Sequence, residues 1–238
     1  MVTTIVITAG GRGTRMGSLA DDKPKHLIEV NGRPFMHHLI DRVVEAGFTK
    51  IYLVIGYKKE VWSKHWTDIQ ADITFIDQFD RVREKYGTAC PIEAVQPELH
   101  GQSFVAVYGD NLYSVTDLRS VASDDEYCYV AGLEHDHPER YGVLKTDGEF
   151  LTKIVEKPQT FVGNLINTGL YKFTPDVFTV LPKIRLSPRE EYELTDVVTL
   201  LAEQKKVKVK RIQDYWLDFG KPEDIDKVAK FLDTAVAN

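Results

Sequence analysis

The chain has 238 residues, 43% of them hydrophobic and 28% charged, a balance that supplies a sizeable core and excludes a disordered or repetitive polypeptide. A formal net charge of −6 argues against a nucleic-acid partner, which calls for a basic face. No apolar run approaches the roughly 20 residues that span a bilayer, and no basic segment followed by an apolar one opens the chain, so a cytoplasmic protein without membrane attachment is expected.

Residues 3–8 (TTIVIT) and 51–55 (IYLVI) are short, β-branched, nearly continuous apolar runs, the pattern of parallel strands buried on both faces. Between them, residues 34–47 (PFMHHLIDRVVEAG) place Phe35, Leu39, Val43 and Ala46 at helical spacing, with Pro at the start and Gly at the end. That is a βαβ unit. A strand at 73–76 (ITFI), a helix around 88–96 and a strand with a polar turn at 103–111 (SFVAVYGDN) continue the alternation. An open α/β sheet follows, whose ligands sit beyond the carboxyl ends of its strands.

After about residue 125 the elements shorten: 127–133, 141–146, 150–158 and 165–173 read as strands with more antiparallel pairing, followed by helices at 195–205 and 222–235. Cys90 and Cys128 carry neither zinc nor disulfide spacing and read as small buried residues. Adjacent His37 and His38 point in different directions on a helix. Residues 135–140 (HDHPER) read as a hydrated turn, and Trp62 and Trp66, four apart, as packing on one helix face.

The chemistry concentrates at residues 8–30, TAGGRGTRMGSLADDKPKHLIEV, directly after the first strand. A glycine-rich turn there aims several backbone N–H groups at one point, which suits a phosphate. A dinucleotide fingerprint from Gly11 would need glycine where Met16 stands, and the Gly-Lys-Ser/Thr of a Walker loop is absent. Arg12, Arg15, Lys23 and Lys25 add four cations over the strand end, which suits a polyphosphate.

AGGRGTRM followed by KPKHLIEVNGRPFM resembles the signature of the sugar-1-phosphate nucleotidyltransferases, and YGTA (86–89), YGDN (108–111), VEKP (155–158), NTGLY (167–171) and WLDFGKPED (216–224) are similar to the family's later motifs in the same order. The resemblance covers nearly the whole chain. It implies an α/β fold with a Rossmann-like, mixed but mainly parallel sheet flanked by helices, and a smaller α+β sugar-binding part in the C-terminal half. It also implies one catalytic domain over residues 1–238, with a nucleotide-binding half at 1–125 and a sugar-binding half at 126–238.

The roles it implies are specific. Ala9, Gly10, Gly11, Gly13 and Thr14 would contact the nucleotide. Arg15 would neutralise the β- and γ-phosphates and Lys25 the α-phosphate. Asp110 and Asp218 would hold Mg²⁺. Gln78, Gly87 and Thr88 would meet the base. Lys157 would take the sugar phosphate and Glu156 the sugar hydroxyls, with Asn111, Gly142, Asn167 and Thr168 also on the sugar; Arg15, Lys25, Asp110, Lys157 and Asp218 form the catalytic set. The implied reaction joins a nucleoside triphosphate, UTP or dTTP, to a sugar-1-phosphate, glucose-1-phosphate by default, in a chain that could form a homo-oligomer. The rivals are a cytidylyltransferase acting on phosphocholine and a guanylyltransferase acting on mannose- or heptose-1-phosphate.

Overall fold

The structure, a computed structural model, describes residues 1–62, 71–83, 85–99 and 101–236. The first strand, β1 (Thr4–Ala9), is buried on both sides: Ile5 and Ile7 enter one apolar layer and Val6 the other. The glycine loop then tightens into two 3-10 turns, Thr14–Ala20 and Lys25–Leu27, and a short hairpin of β2 (Glu29–Val30) and β3 (Arg33–Pro34) leads into α1 (Phe35–Glu45). Phe35, Met36, Leu39, Ile40 and Val43 form the buried stripe of α1, and Pro34 at its N-cap and Gly47 just past its end bound it as the spacing predicts.

The alternation continues through β4 (Lys50–Ile55), α2 (Lys59–Trp62), β5 (Ile73–Asp77), α3 (Gln78–Val82), α4 (Cys90–Ala94) and β6 (Phe104–Tyr108). Then come β7 (Asn111–Tyr113), α5 (Val115–Val121), β8 (Cys128–Glu134), β9 (Gly142–Asp147), β10 (Phe150–Glu156), β11 (Leu165–Phe173) and α6 (Val177–Val180). The last elements are α7 (Leu194–Ala202), β12 (Val207–Arg211), β13 (Trp216–Asp218) and α8 (Glu223–Val236). Trp62 is buried within the apolar layer of α1, whereas Trp66 lies outside the described residues. Cys90 and Cys128 are both buried, and burial pushes the Cys90 thiol up to about 11.

Nine strands form one sheet in the order β5-β4-β1-β6-β11-β8-β12-β10-β9. Its first four strands are mutually parallel. From β6 onward the pairings turn antiparallel, save for β8 with β12. The sheet is therefore mixed and not mainly parallel, which corrects the expectation. The reason is the placement of β11: it inserts between β6 and β8, so the two chain halves share one sheet that runs without a break across residue 125. Helices cover both faces, with α1, α5 and α8 on one apolar layer and α4, α6 and α7 on the other. Among the described residues no helix is long and apolar enough to cross a membrane.

The polar turn expected at the end of the 103–111 strand is where the chain leaves the main sheet. β6 stops at Tyr108, and β7 pairs instead with β13 in a separate antiparallel ribbon in which Asn111 faces Asp218 and Tyr113 faces Trp216. The ribbon is pinned at both ends. At one, Phe219 N–H donates to the Asp110 carbonyl at 2.8 Å and the Phe219 ring stacks on Phe35 with centroids 4.1 Å apart. At the other, the fully buried Asp117 carboxylate accepts from Ser114 Oγ at 2.6 Å, Gln213 N–H at 2.7 Å and Asp214 N–H at 3.2 Å.

Asp117→Ala removes the shared acceptor of those three donors, so it is expected to cost about 3 kcal/mol of stability, read from the urea midpoint, although Asp117 is not part of the cleft lining.

Candidate active site

A cavity of about 300 Å³ opens beyond the carboxyl ends of β1 and β6, within the range of small-ligand sites. Of the residues singled out from sequence, Gly10, Gly11, Arg15, Lys25, Gln78, Gly87, Thr88, Asp110, Asn111, Gly142, Glu156, Lys157, Asn167, Thr168 and Asp218 all line it. Ala9, Gly13 and Thr14 do not. Ala9 is the buried last residue of β1, Gly13 adopts a left-handed φ of 65° with its backbone against the Lys25 stem, and Thr14 begins the 3-10 turn. Of the four loop cations, Arg15 and Lys25 face the cavity, and Arg12 and Lys23 are not part of its lining.

At one end, Gln78 is buried at the start of α3, directly against the glycine loop: a Cβ on Gly10 would fall 2.6 Å from Gln78 Oε1. A side chain at position 10 would have to displace the Gln78 amide from this place. Near it, the 86–89 turn is clasped by the segment before α7. Tyr192 N–H donates to the Tyr86 carbonyl and Ala89 N–H to the Tyr192 carbonyl, each at 2.9 Å, while Leu194 N–H donates to Thr88 Oγ1 at 2.8 Å.

In the middle stand the carboxylates and their cations. Lys25 Nζ forms an ion pair with Asp110 Oδ2, both side chains largely buried. Burial pushes the Asp110 carboxyl up, but Lys25 and the other nearby positive charges outweigh it and hold the group below its ordinary range. Asp218 shows the opposite balance: burial, then the Asp110 and Asp224 charges, push it up to about 6. Arg15 and Lys25 only partly oppose this. Two hard carboxylate donors crowded into one cavity, one of them with a pKa raised partly by its neighbour's charge, suit a divalent cation such as Mg²⁺ that shares its coordination with phosphate oxygens. His26, beside Lys25, is buried, and desolvation lowers it to about 3, so it is neutral.

At the far end, Lys157 occupies a left-handed φ of 41° just past β10, with its N–H donating to the Tyr141 carbonyl at 3.0 Å. Burial raises the Glu156 carboxyl, opposed by Arg189 and Lys157. Asn167 has its side chain fixed on both sides: its Oδ1 accepts Gly169 N–H at 3.1 Å and its Nδ2 donates to Tyr171 Oη.

Several lining residues escaped the sequence reading. Arg189 sends Nε to Glu193 Oε1 and Nη2 to Glu193 Oε2, each at 3.0 Å, and lies 3.5 Å from Glu156. Glu193 is the residue directly before α7 and makes no side-chain cap to it. The only sequence signal was a dense charge alternation, PREEYELTD (188–196), ahead of an apolar helix. Arg140, exposed in the 3-10 turn Pro138–Arg140, also reaches the cavity rim, and Tyr108, Tyr141 and Trp216 supply aromatic walls. His38 Nε2 donates to the Val30 carbonyl at 3.0 Å, tying α1 to β2 outside the cavity lining.

A family model described as Nucleotidyl transferase matches residues 4–235. The UTP–glucose-1-phosphate uridylyltransferase AglF of Haloferax volcanii is 34% identical over 237 residues, covering 95% of each chain. The bifunctional protein GlmU of Methanocaldococcus jannaschii is 33% identical over 229 residues, covering 95% of this chain and 53% of that protein. The chain thus spans about half the length of that longer relative. Among solved structures, a UDP-glucose pyrophosphorylase complexed with UDP-glucose superposes with a TM-score of 0.86 at 19% identity, covering 99% of this chain and 100% of the other, a likeness of fold.

The raised Asp218 carboxyl carries a stability consequence. A folded value near 6 lies above the ordinary 3.8, so ionisation of this group opposes folding; its contribution is intact below pH 4 and lost as pH rises through 6. Asp218→Asn is therefore expected to raise the melting temperature of the metal-free protein by a few degrees at pH 7, with the gain shrinking between pH 6 and pH 4 when scanned calorimetrically.

Proposed function

The chain belongs to the nucleotidyl transferase family and is a sugar-1-phosphate nucleotidyltransferase; from that premise we propose that it joins UTP or dTTP to glucose-1-phosphate, giving a nucleotide sugar and pyrophosphate. The observation that carries this reading is the convergence on one cavity of a glycine loop with two cations, two carboxylates at one end of a ribbon, and a Glu-Lys pair near an Asn-Thr turn. Each group suits a different part of the two substrates. The choice of nucleotide and sugar draws support from the 34% identity, over 95% of both chains, with a uridylyltransferase acting on glucose-1-phosphate.

The nucleotide end is built from residues before 125. Backbone N–H groups of Gly10 and Gly11 would face the triphosphate, Arg15 its outer phosphates and Lys25 the α-phosphate, with Gln78, Gly87 and Thr88 toward the base. The sugar end comes from residues after 125: Glu156 would accept from sugar hydroxyls, Lys157 would hold the sugar phosphate, and Gly142, Asn167 and Thr168 would line the ring, with Asn111 between the two ends. Asp110 and Asp218 would hold a Mg²⁺ ion, which when bound supplies positive charge to the triphosphate oxygens.

An oxygen of the sugar phosphate then attacks the α-phosphorus, and the bond to the bridging oxygen of the β-phosphate breaks to release pyrophosphate. No general base is needed, because a phosphomonoester is already ionised near neutral pH. The residues act by alignment and by neutralising charge. Lys25 offsets the charge that builds at the phosphorus under attack, Arg15 that on the leaving pyrophosphate, and Lys157 keeps the acceptor oxygen in line. Glu156, with its raised carboxyl held by Arg189 and Lys157, keeps the sugar oriented.

Pyrophosphate release across UTP, dTTP, GTP and CTP, each with several sugar-1-phosphates, tests the assignment. The highest rate is expected for UTP or dTTP with glucose-1-phosphate; GTP with mannose-1-phosphate in first place would overturn it. Asp110→Asn is expected to lower kcat by on the order of a hundredfold or more while nucleotide affinity, measured by titration calorimetry, changes far less.

A further inference from the structure

Three side chains aim donors at one backbone oxygen beside the cavity. The Thr168 carbonyl accepts from Tyr113 Oη at 2.9 Å and Trp216 Nε1 at 3.0 Å, with Asn111 Nδ2 farther off at 3.5 Å. A carbonyl oxygen has two lone pairs, so the phenol and the indole saturate it. The need arises from the strand itself. The register of β11 against β8 breaks between Asn167 and Tyr171, and the intervening Gly169 has a left-handed φ of 74° with no room for a Cβ, which would fall 2.2 Å from the Tyr108 ring. Outside the regular ladder with β8, the Thr168 carbonyl is positioned by side chains instead.

The donors come from a telling place. Tyr113 and Trp216 are register partners across the β7–β13 ribbon, the ribbon that carries Asp218 and begins directly after Asp110. Thr168 and its neighbour Asn167 line the sugar end of the cavity. Trp216 lines the cavity too, but Tyr113 is 0% exposed and outside that lining, so any effect of its hydroxyl on substrate is indirect, through the Thr168 carbonyl it donates to and the neighbouring Asn111 side chain. We infer that Tyr113 is a positioning residue which, together with Trp216, ties the Asn167–Thr168 turn to the carboxylate-bearing ribbon and so sets where the sugar phosphate stands relative to the phosphorus under attack. This rests on the reading above that the turn receives the sugar.

Tyr113→Phe keeps the ring and removes the donor. It is expected to lower kcat/KM for the sugar-1-phosphate by about tenfold or more while the dissociation constant of the nucleoside triphosphate stays within about twofold of wild type, because a small misplacement is costly only where two groups must be in line. The melting temperature, recorded alongside, separates this split from general loss of structure. Trp216→Phe removes the second donor, and the double variant is expected to lose less than the product of the two single losses, since both act on one oxygen. An unchanged kcat/KM in Tyr113→Phe, or an equal loss of nucleotide affinity, overturns the inference alone. If the wild-type chain releases no pyrophosphate with any sugar-1-phosphate, the functional reading fails and the inference fails with it.

Discussion

One backbone hydrogen bond organises the centre of this molecule: Phe219 N–H to the Asp110 carbonyl. It joins two segments far apart in the chain at the point where β6 has ended and β7 begins, and it places the residue before Phe219, Asp218, beside Asp110. The ribbon of β7 and β13, the stacking of Phe35 on Phe219 and the buried Asp117 all serve to keep that junction in register. Two like charges brought this close oppose folding. The opposition is offset locally by Lys25 on Asp110, and only incompletely on Asp218.

The rest of the cavity is arranged around that junction with little freedom. The glycine loop lies against Gln78 on one side, and the Asn167–Thr168 turn lies against Tyr108 on the other. At Gly169 the contact with the Tyr108 ring and a φ of 74° leave no room for a side chain, and at Gly10 a side chain would have to displace the Gln78 amide. Arg189 adds a second kind of constraint. Its guanidinium is shared among Glu156, Glu191 and Glu193, which links the end of β10 to the start of α7, and Leu194 N–H to Thr88 Oγ1 links that start to the turn at 86–89.

What the sequence made legible follows from locality. β1, α1 and β4 carry their periodicity within a few residues, and the glycine loop reads by itself as a turn that suits a phosphate, whereas the roles expected of the Gly-Asp-Asn and Glu-Lys-Pro turns came from resemblance to a family's contiguous motifs. Strand order is not local. Nothing in the apolar pattern of LINTGLYKF says that it will insert between β6 and β8 with both neighbours antiparallel, and the expectation of a mainly parallel sheet failed there. Arg140 and Arg189 stayed hidden for the same reason. An arginine beside acidic residues in a turn is ordinary until the fold carries it to a cavity rim.

The interposed position of β11 governs how the molecule comes apart. Every residue of that strand is buried, and its neighbours β6 and β8 belong to the segments before and after residue 125, so neither segment can peel away without exposing a central strand edge of the other. Opening is therefore cheapest at β5, which is paired on one side only, whereas β9 pairs with both β10 and β11, and the amides of the central β6 and β11 are expected to be among the slowest to exchange. The segments before and after residue 125 therefore unfold in a single cooperative event, and a chain cut near residue 125 yields two fragments that each lack a completed sheet.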